Sequence, residues 1–109
     1  MAKIREGQAC KVVAEFHEPD GTPKAGVEVI VRVKPAGLWR GVALTGEHRK
    51  KTDERGRVAF MLAPTAELES VDGQPPRYLV TVNELRFINQ PIDVPQAPAA
   101  NLFELLRGA

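Results

Sequence analysis

The chain has 109 residues, 43% hydrophobic and 27% charged, with 15 Lys and Arg against 14 Asp and Glu for a net charge of +1. That length fits one domain with a modest core, and the balance argues against global disorder and against general binding to nucleic acid or membranes. A single cysteine, Cys10, excludes an intrachain disulfide, so the fold must stand on its core.

Met1-Ala2-Lys3-Ile4-Arg5-Glu6 reads as a short N-terminal arm. No apolar run follows its charges, so no signal peptide is expected. No stretch approaches the ~18–20 apolar residues that span a bilayer. Synthesis in the cytoplasm is the expectation. Nine glycines and nine prolines then punctuate the chain at short intervals. Between them polarity alternates with a period of two, the mark of an antiparallel β-protein.

The first expected strand runs from Ala9 to Phe16, with Cys10, Val12, Ala14 and Phe16 on one face. Lys11 and Glu15 lie on the other, where Val13 is the exception. Pro19-Asp20-Gly21-Thr22-Pro23 is a turn, because proline fixes φ and glycine permits positive φ. Val27 to Lys34 carries four valines, at 27, 29, 31 and 33, opposite Glu28, Arg32 and Lys34, with Ile30 out of pattern. Such an alternation of β-branched residues predicts a strand. Pro35-Ala36-Gly37 breaks it.

Leu38 to Leu44 reads as one strand containing Trp39, Val42 and Leu44. Gly46 and the polar run Glu47-His48-Arg49-Lys50-Lys51 lead to a turn at Asp53-Glu54-Arg55-Gly56. Val58, Phe60 and Leu62 alternate after it, so residues on both sides of the turn read as a β-hairpin. Pro64 ends it. Residues 65–76 read as a surface loop. Tyr78, Val80 and Val82 mark another strand. A turn near Asn83-Glu84 leads to a strand from Leu85 to Val94, broken by Pro91. Pro95-Gln96-Ala97-Pro98 is an extended link, and Asn101 to Leu106 closes the chain as a short strand or helical turn. The sum is about seven short strands: an all-β, antiparallel β-sandwich in one domain over residues 1–109. The arm takes 1–6, the sandwich 7–94, and a linker with a short closing segment 95–109.

The chemistry-bearing residues do not form a recognisable site. His17 and His48 are far apart in sequence, with no spacing that suits zinc. The one serine, Ser70, has no nucleophile-elbow motif around it. The glycines sit singly at turns, so there is no phosphate loop. Glu67, Glu69 and Asp72 gather in the long loop, where calcium is conceivable but a solvated acidic loop is the expectation. No catalytic residue, cofactor or metal is therefore expected.

Three features remain as candidate partner surfaces. The basic cluster His48-Arg49-Lys50-Lys51 suits phosphate or an acidic partner surface, but a solvated strand end that discourages edge pairing is the expectation. Trp39, next to Arg40-Gly41, is either an anchor for a partner or a core residue. The apolar C-terminal residues Leu102, Phe103, Leu105 and Leu106 dock on a neighbour or pack on their own core.

Three segments carry a family resemblance. Asp20-Gly21-Thr22-Pro23-Lys24-Ala25-Gly26-Val27 precedes the valine strand. Lys51-Thr52-Asp53-Glu54-Arg55-Gly56-Arg57-Val58-Ala59-Phe60 follows, with Pro64 soon after, and then Tyr78-Leu79-Val80-Thr81-Val82. In this order they resemble the carboxypeptidase regulatory-like domains, which implies a transthyretin-like (prealbumin-like, Ig-like) β-sandwich over about residues 7–94 and a non-catalytic role. Ile92-Asp93-Val94-Pro95, a short linker, and Asn101-Leu102-Phe103-Glu104-Leu105-Leu106 are similar to the ends of small transthyretin-like proteins of tailed bacteriophages. Gln96 stands where that pattern carries an acidic residue. The resemblance implies a structural virion protein (decoration, fibre, tail or baseplate) in several symmetric copies. Its partners would be other virion proteins, not nucleic acid or membrane. The alternative is a carbohydrate- or protein-binding accessory module centred on Trp39. A small enzyme of the same fold is the third reading, and it would need histidines and arginines clustered at one site.

Overall fold

The computed structural model describes residues 8–108, so the expected arm at 1–6 lies outside the described residues. Among the described residues the protein is mostly β-strand, in three sheets with one short α-helix. The strands are β1 (Cys10–Glu15), β2 (Glu28–Lys34), β3 (Gly37–Trp39), β4 (Val42–Leu44), β5 (Glu47–Lys51), β6 (Arg57–Leu62), β7 (Glu69–Ser70), β8 (Arg77–Val82), β9 (Phe87–Ile92) and β10 (Ala99–Asn101). Helix α1 (Leu102–Leu106) follows at once. The sheets have the orders β10-β1-β6, β5-β2-β8-β9 and β4-β3-β7.

One core joins the two larger sheets. Cys10, Val12 and Ala14 of β1, and Val58, Phe60 and Leu62 of β6, meet Val29 and Val31 of β2 and Tyr78, Val80 and Val82 of β8. The period-two pattern does this directly, since alternate side chains of a strand share one face. Burying each of the larger side chains contributes about 1.5–3 kcal/mol. Ile30 is buried as well but stands outside this cluster, as its place on the opposite face of β2 requires.

Four expectations are corrected. First, the described residues hold ten strands where about seven were expected. Leu38 to Leu44 is two strands, because Arg40 and Gly41, both with positive φ, reverse the chain between the paired residues Trp39 and Val42. The long loop contains a 3-10 turn (Thr65–Glu67) and β7, which pairs with β3.

Second, the residues around Asp53–Gly56 do not form a hairpin. β5 pairs with β2 and β6 pairs with β1, so the turn crosses between sheets. Charge explains the choice made by β5. Its register sets Glu47 opposite Arg32 and Arg49 near Glu28, and Arg32–Glu47 (2.9 Å), Arg49–Glu47 (2.9 Å) and Arg49–Glu28 (3.2 Å) form a ladder. Opposite charges in register stabilise a strand pair. β6 places its apolar face beside β1 instead.

Third, the ladders are not all antiparallel. β10 runs parallel to β1, with Lys11 opposite Ala99 and Val13 opposite Asn101. The crossover needed for parallel pairing is the long path of the chain through the other sheets. Fourth, β9 passes through Pro91 unbroken, because β9 is an edge strand and proline is tolerated where no ladder donor is needed.

The end of the molecule near β6 is woven from two turns. Asp20 accepts hydrogen bonds from the Thr22 amide (3.0 Å) and hydroxyl (2.7 Å). Asp53 accepts from the Arg55 and Arg57 amides. Thr52, buried, accepts from the Val27 amide and donates to the Lys24 carbonyl. Gly56 has φ +74, and a Cβ there would stand 2.2 Å from the Phe16 carbonyl oxygen. Only glycine combines that conformation with that approach.

Candidate binding surface

The C-terminal segment belongs to the core. Asn101 caps α1, accepting from the Phe103 amide at 2.9 Å. Leu102 and Leu106, four positions apart, then fall on one helix face and are buried. Phe103 and Leu105 are half-buried against the same cluster, and the Phe103 ring meets Phe16 edge-on at 5.3 Å between centroids. Before it, the Thr65 amide donates to the Val94 carbonyl, and the Val94 amide donates to the Thr65 hydroxyl.

The basic cluster does not form one patch. Along β5 its side chains alternate between faces. Arg49 lies in the ionic ladder on the outer face, and Lys51 shares that face, opposite Glu28. His48 and Lys50 share the other face with Val31 and Val29. Lys50 Nζ donates to the Ala59 carbonyl at 2.8 Å and stands 5.4 Å from the centre of the Phe60 ring, which His48 also meets edge-on. Lys50 thus ties the edge of β5 to the edge of β6. Its stem covers apolar surface while its ammonium reaches a strand-edge carbonyl.

The two histidines have different neighbours, Glu15 for His17 and Phe60 for His48. His17 lies 2.7 Å from Glu15, which also bonds Arg57 at 2.9 Å. The Arg57 guanidinium, and then the His17 contact, hold the Glu15 carboxyl below its usual range. Among the described residues no group of three or more His, Cys, Asp or Glu converges so as to hold a metal ion. Burial pushes the Cys10 thiol up, and it pushes the Tyr78 phenol up to about 12. The Tyr78 hydroxyl donates to the Ala63 carbonyl at 2.8 Å.

Trp39 is half-buried and lines two clefts. One, of about 360 Å³, opens where the two larger sheets part. Val31, Val33, Leu44, Met61 and Tyr78 give it an apolar lining, with Glu47 and His48 at its side. The other, of about 660 Å³, is lined by Trp39, Arg40, Glu67, Glu69 and Gln96, with Ala66 and Leu68. There the Trp39 indole N–H donates to Glu67 Oε1 at 3.0 Å, and the Gln96 amide donates to Glu67 Oε2 at 3.1 Å. Glu67, expected in a solvated acidic loop, instead joins Trp39 and Gln96 in a group that the sequence does not reveal. Its members are 28 and 29 positions apart, so no local spacing could show it. The one hint was Gln96. An acidic residue there would set two carboxylates against each other, whereas the amide supplies a donor.

No protein-family model matches this chain, and no curated protein matches it.

Proposed function

We propose that this chain is a non-enzymatic structural protein of a tailed-bacteriophage virion, folded as a transthyretin-like β-sandwich and assembled through protein–protein contacts. The observation that carries the reading is the closing segment. Four residues of the phage-like pattern have a structural task in this chain. Val94 exchanges two hydrogen bonds with Thr65, Asn101 caps the helix, and Leu102 and Leu106 complete the core. The turns at Asp20 and Asp53, on which the wider resemblance rests, are each closed by hydrogen bonds to their own aspartate and lie where the chain passes between the two larger sheets, from β1 to β2 and from β5 to β6.

With Leu102 and Leu106 committed to the core, the contact surface lies elsewhere. Met61, which lines the cleft between the two larger sheets, and Val42, opposite Trp39, are each 61% exposed. Large apolar side chains at such exposure suit contact with a neighbouring subunit. Met61→Glu and Val42→Lys change the surface and leave the core alone. In cells producing particles, each variant chain is expected to fold, accumulate and fail to enter particles. Incorporation at the normal level by both variants contradicts this placing of the interface.

A further inference from the structure

We infer that the cleft between the β3–β4 turn and the Thr65–Glu67 turn is a binding site for an uncharged pyranose sugar, with Trp39, Glu67 and Gln96 as its recognition group. The inference goes beyond the virion reading and does not depend on it.

The lining has the mixture that a sugar requires. A pyranose offers an apolar C–H face and a ring of hydroxyls, each both donor and acceptor. The cleft offers one indole, two carboxylates, one primary amide and one guanidinium, in Trp39, Glu67, Glu69, Gln96 and Arg40. Tryptophan presents an apolar body with a polar N–H, so it can pack against such a face beside polar groups. Carboxylates accept from hydroxyls, and amide and guanidinium groups donate to them. The volume of about 660 Å³ lies within the range of small-molecule sites.

The group is also held in advance. Glu67 is gripped through both oxygens, by Trp39 at 3.0 Å and Gln96 at 3.1 Å, so the plane of its carboxylate is fixed. The two hydrogen bonds between Thr65 and Val94 tie the turn that carries Glu67 to the segment that carries Gln96. Such ordering lowers the entropy lost on binding. Arg40 has φ +52, a conformation that costs a non-glycine residue free energy, and it lines the cleft from the tip of the β3–β4 turn. The two carboxylates of Glu67 and Glu69 outnumber the one guanidinium of Arg40, so the cleft disfavours anions and the sugar is an uncharged one.

Trp39 is the chain's one tryptophan, so tryptophan fluorescence and the indole N–H resonance report on the two clefts it lines, and variants at Glu67 and Gln96, which line this cleft and not the other, tell them apart. The full chain is titrated with methyl glucoside, methyl galactoside, methyl mannoside and N-acetylglucosamine, with glucuronate and inorganic phosphate as separate arms. A saturable change with at least one neutral sugar is expected, weakened about tenfold or more by Gln96→Ala. Glu67→Gln, which keeps the shape of the side chain, is expected to weaken it as well. The inference is overturned if no neutral sugar gives a saturable change, or if only glucuronate or phosphate does. It is also overturned if Gln96→Ala and Glu67→Gln both bind with unchanged affinity. Failure here leaves entry into particles untouched, so the two readings fail separately.

Discussion

The Thr52 hydroxyl accepts a hydrogen bond from the Val27 amide at 2.9 Å and donates one to the Lys24 carbonyl at 2.7 Å. Thr52 also exchanges backbone hydrogen bonds with this segment, its amide donating to Val27 and its carbonyl accepting from Gly26. One buried side chain thus fastens the loop before β2 to the end of β5. Thr52→Val keeps the shape and strands the Val27 amide. A buried, unsatisfied backbone donor costs about 1–3 kcal/mol. Urea unfolding should show a loss of that size for Thr52→Val and a smaller one for Thr52→Ser. Equal stability of Thr52→Val and the parent would contradict the clip.

Gly56 and Gly21 both have positive φ, but only Gly56 lies against backbone. Alanine at Gly21 pays for conformation alone, about 1–2 kcal/mol. At Gly56 the same change also drives a Cβ into the Phe16 carbonyl. Gly56→Ala should therefore destabilise more than Gly21→Ala, and thermal melts of the two variants side by side give the order.

Tyr78 is the chain's one tyrosine, so phenolate absorbance reads it alone. Burial pushes its phenol up to about 12 from the ordinary 10.0. The folded state thus favours the neutral phenol. Its contribution to stability is full below pH 10 and is lost as pH rises toward about 12. The spectrophotometric titration should have its midpoint near 12 in the folded chain and near 10 in urea. A folded midpoint near 10 would contradict the burial of the Tyr78 phenol.

Four exposed carboxylates act in the opposite direction. Glu15 is held low by Arg57, Glu47 by Arg49, Asp53 by the Arg57 amide and Asp20 by the Thr22 hydroxyl. Each folded value lies below the ordinary 4.5 for Glu or 3.8 for Asp. Their contribution is present above those ordinary values and fades as pH falls through the lowered ones. Urea midpoints should fall on acidification below about pH 5. High salt should flatten the part due to Glu15 and Glu47, whose partners are exposed guanidinium groups.

The strands of the core could be read from the sequence because their signal is local. Alternation alone placed Cys10, Val12 and Ala14, and Tyr78, Val80 and Val82, on inward faces, and they are buried. Pairing is not a local property. Nothing near Asp53–Gly56 says that β5 prefers β2 through Glu28 and Arg32, so a hairpin was the natural expectation. β10 was missed because Ala99–Asn101 has no alternation and pairs with a strand at the far end of the chain. At the candidate site, Trp39 stood out by its residue type, whereas Glu67 and Gln96 gain meaning only from the fold that brings them to it.

Whether this chain is a stoichiometric part of a phage particle is settled most directly by quantitative mass spectrometry of particles purified by density gradient from cells that carry its gene. The expected result is peptides of this chain in the particle band, in a fixed ratio to the main capsid or tail protein that matches a symmetric multiple. Its complete absence from the banded particles, with the chain abundant in the remaining lysate, would contradict the virion reading.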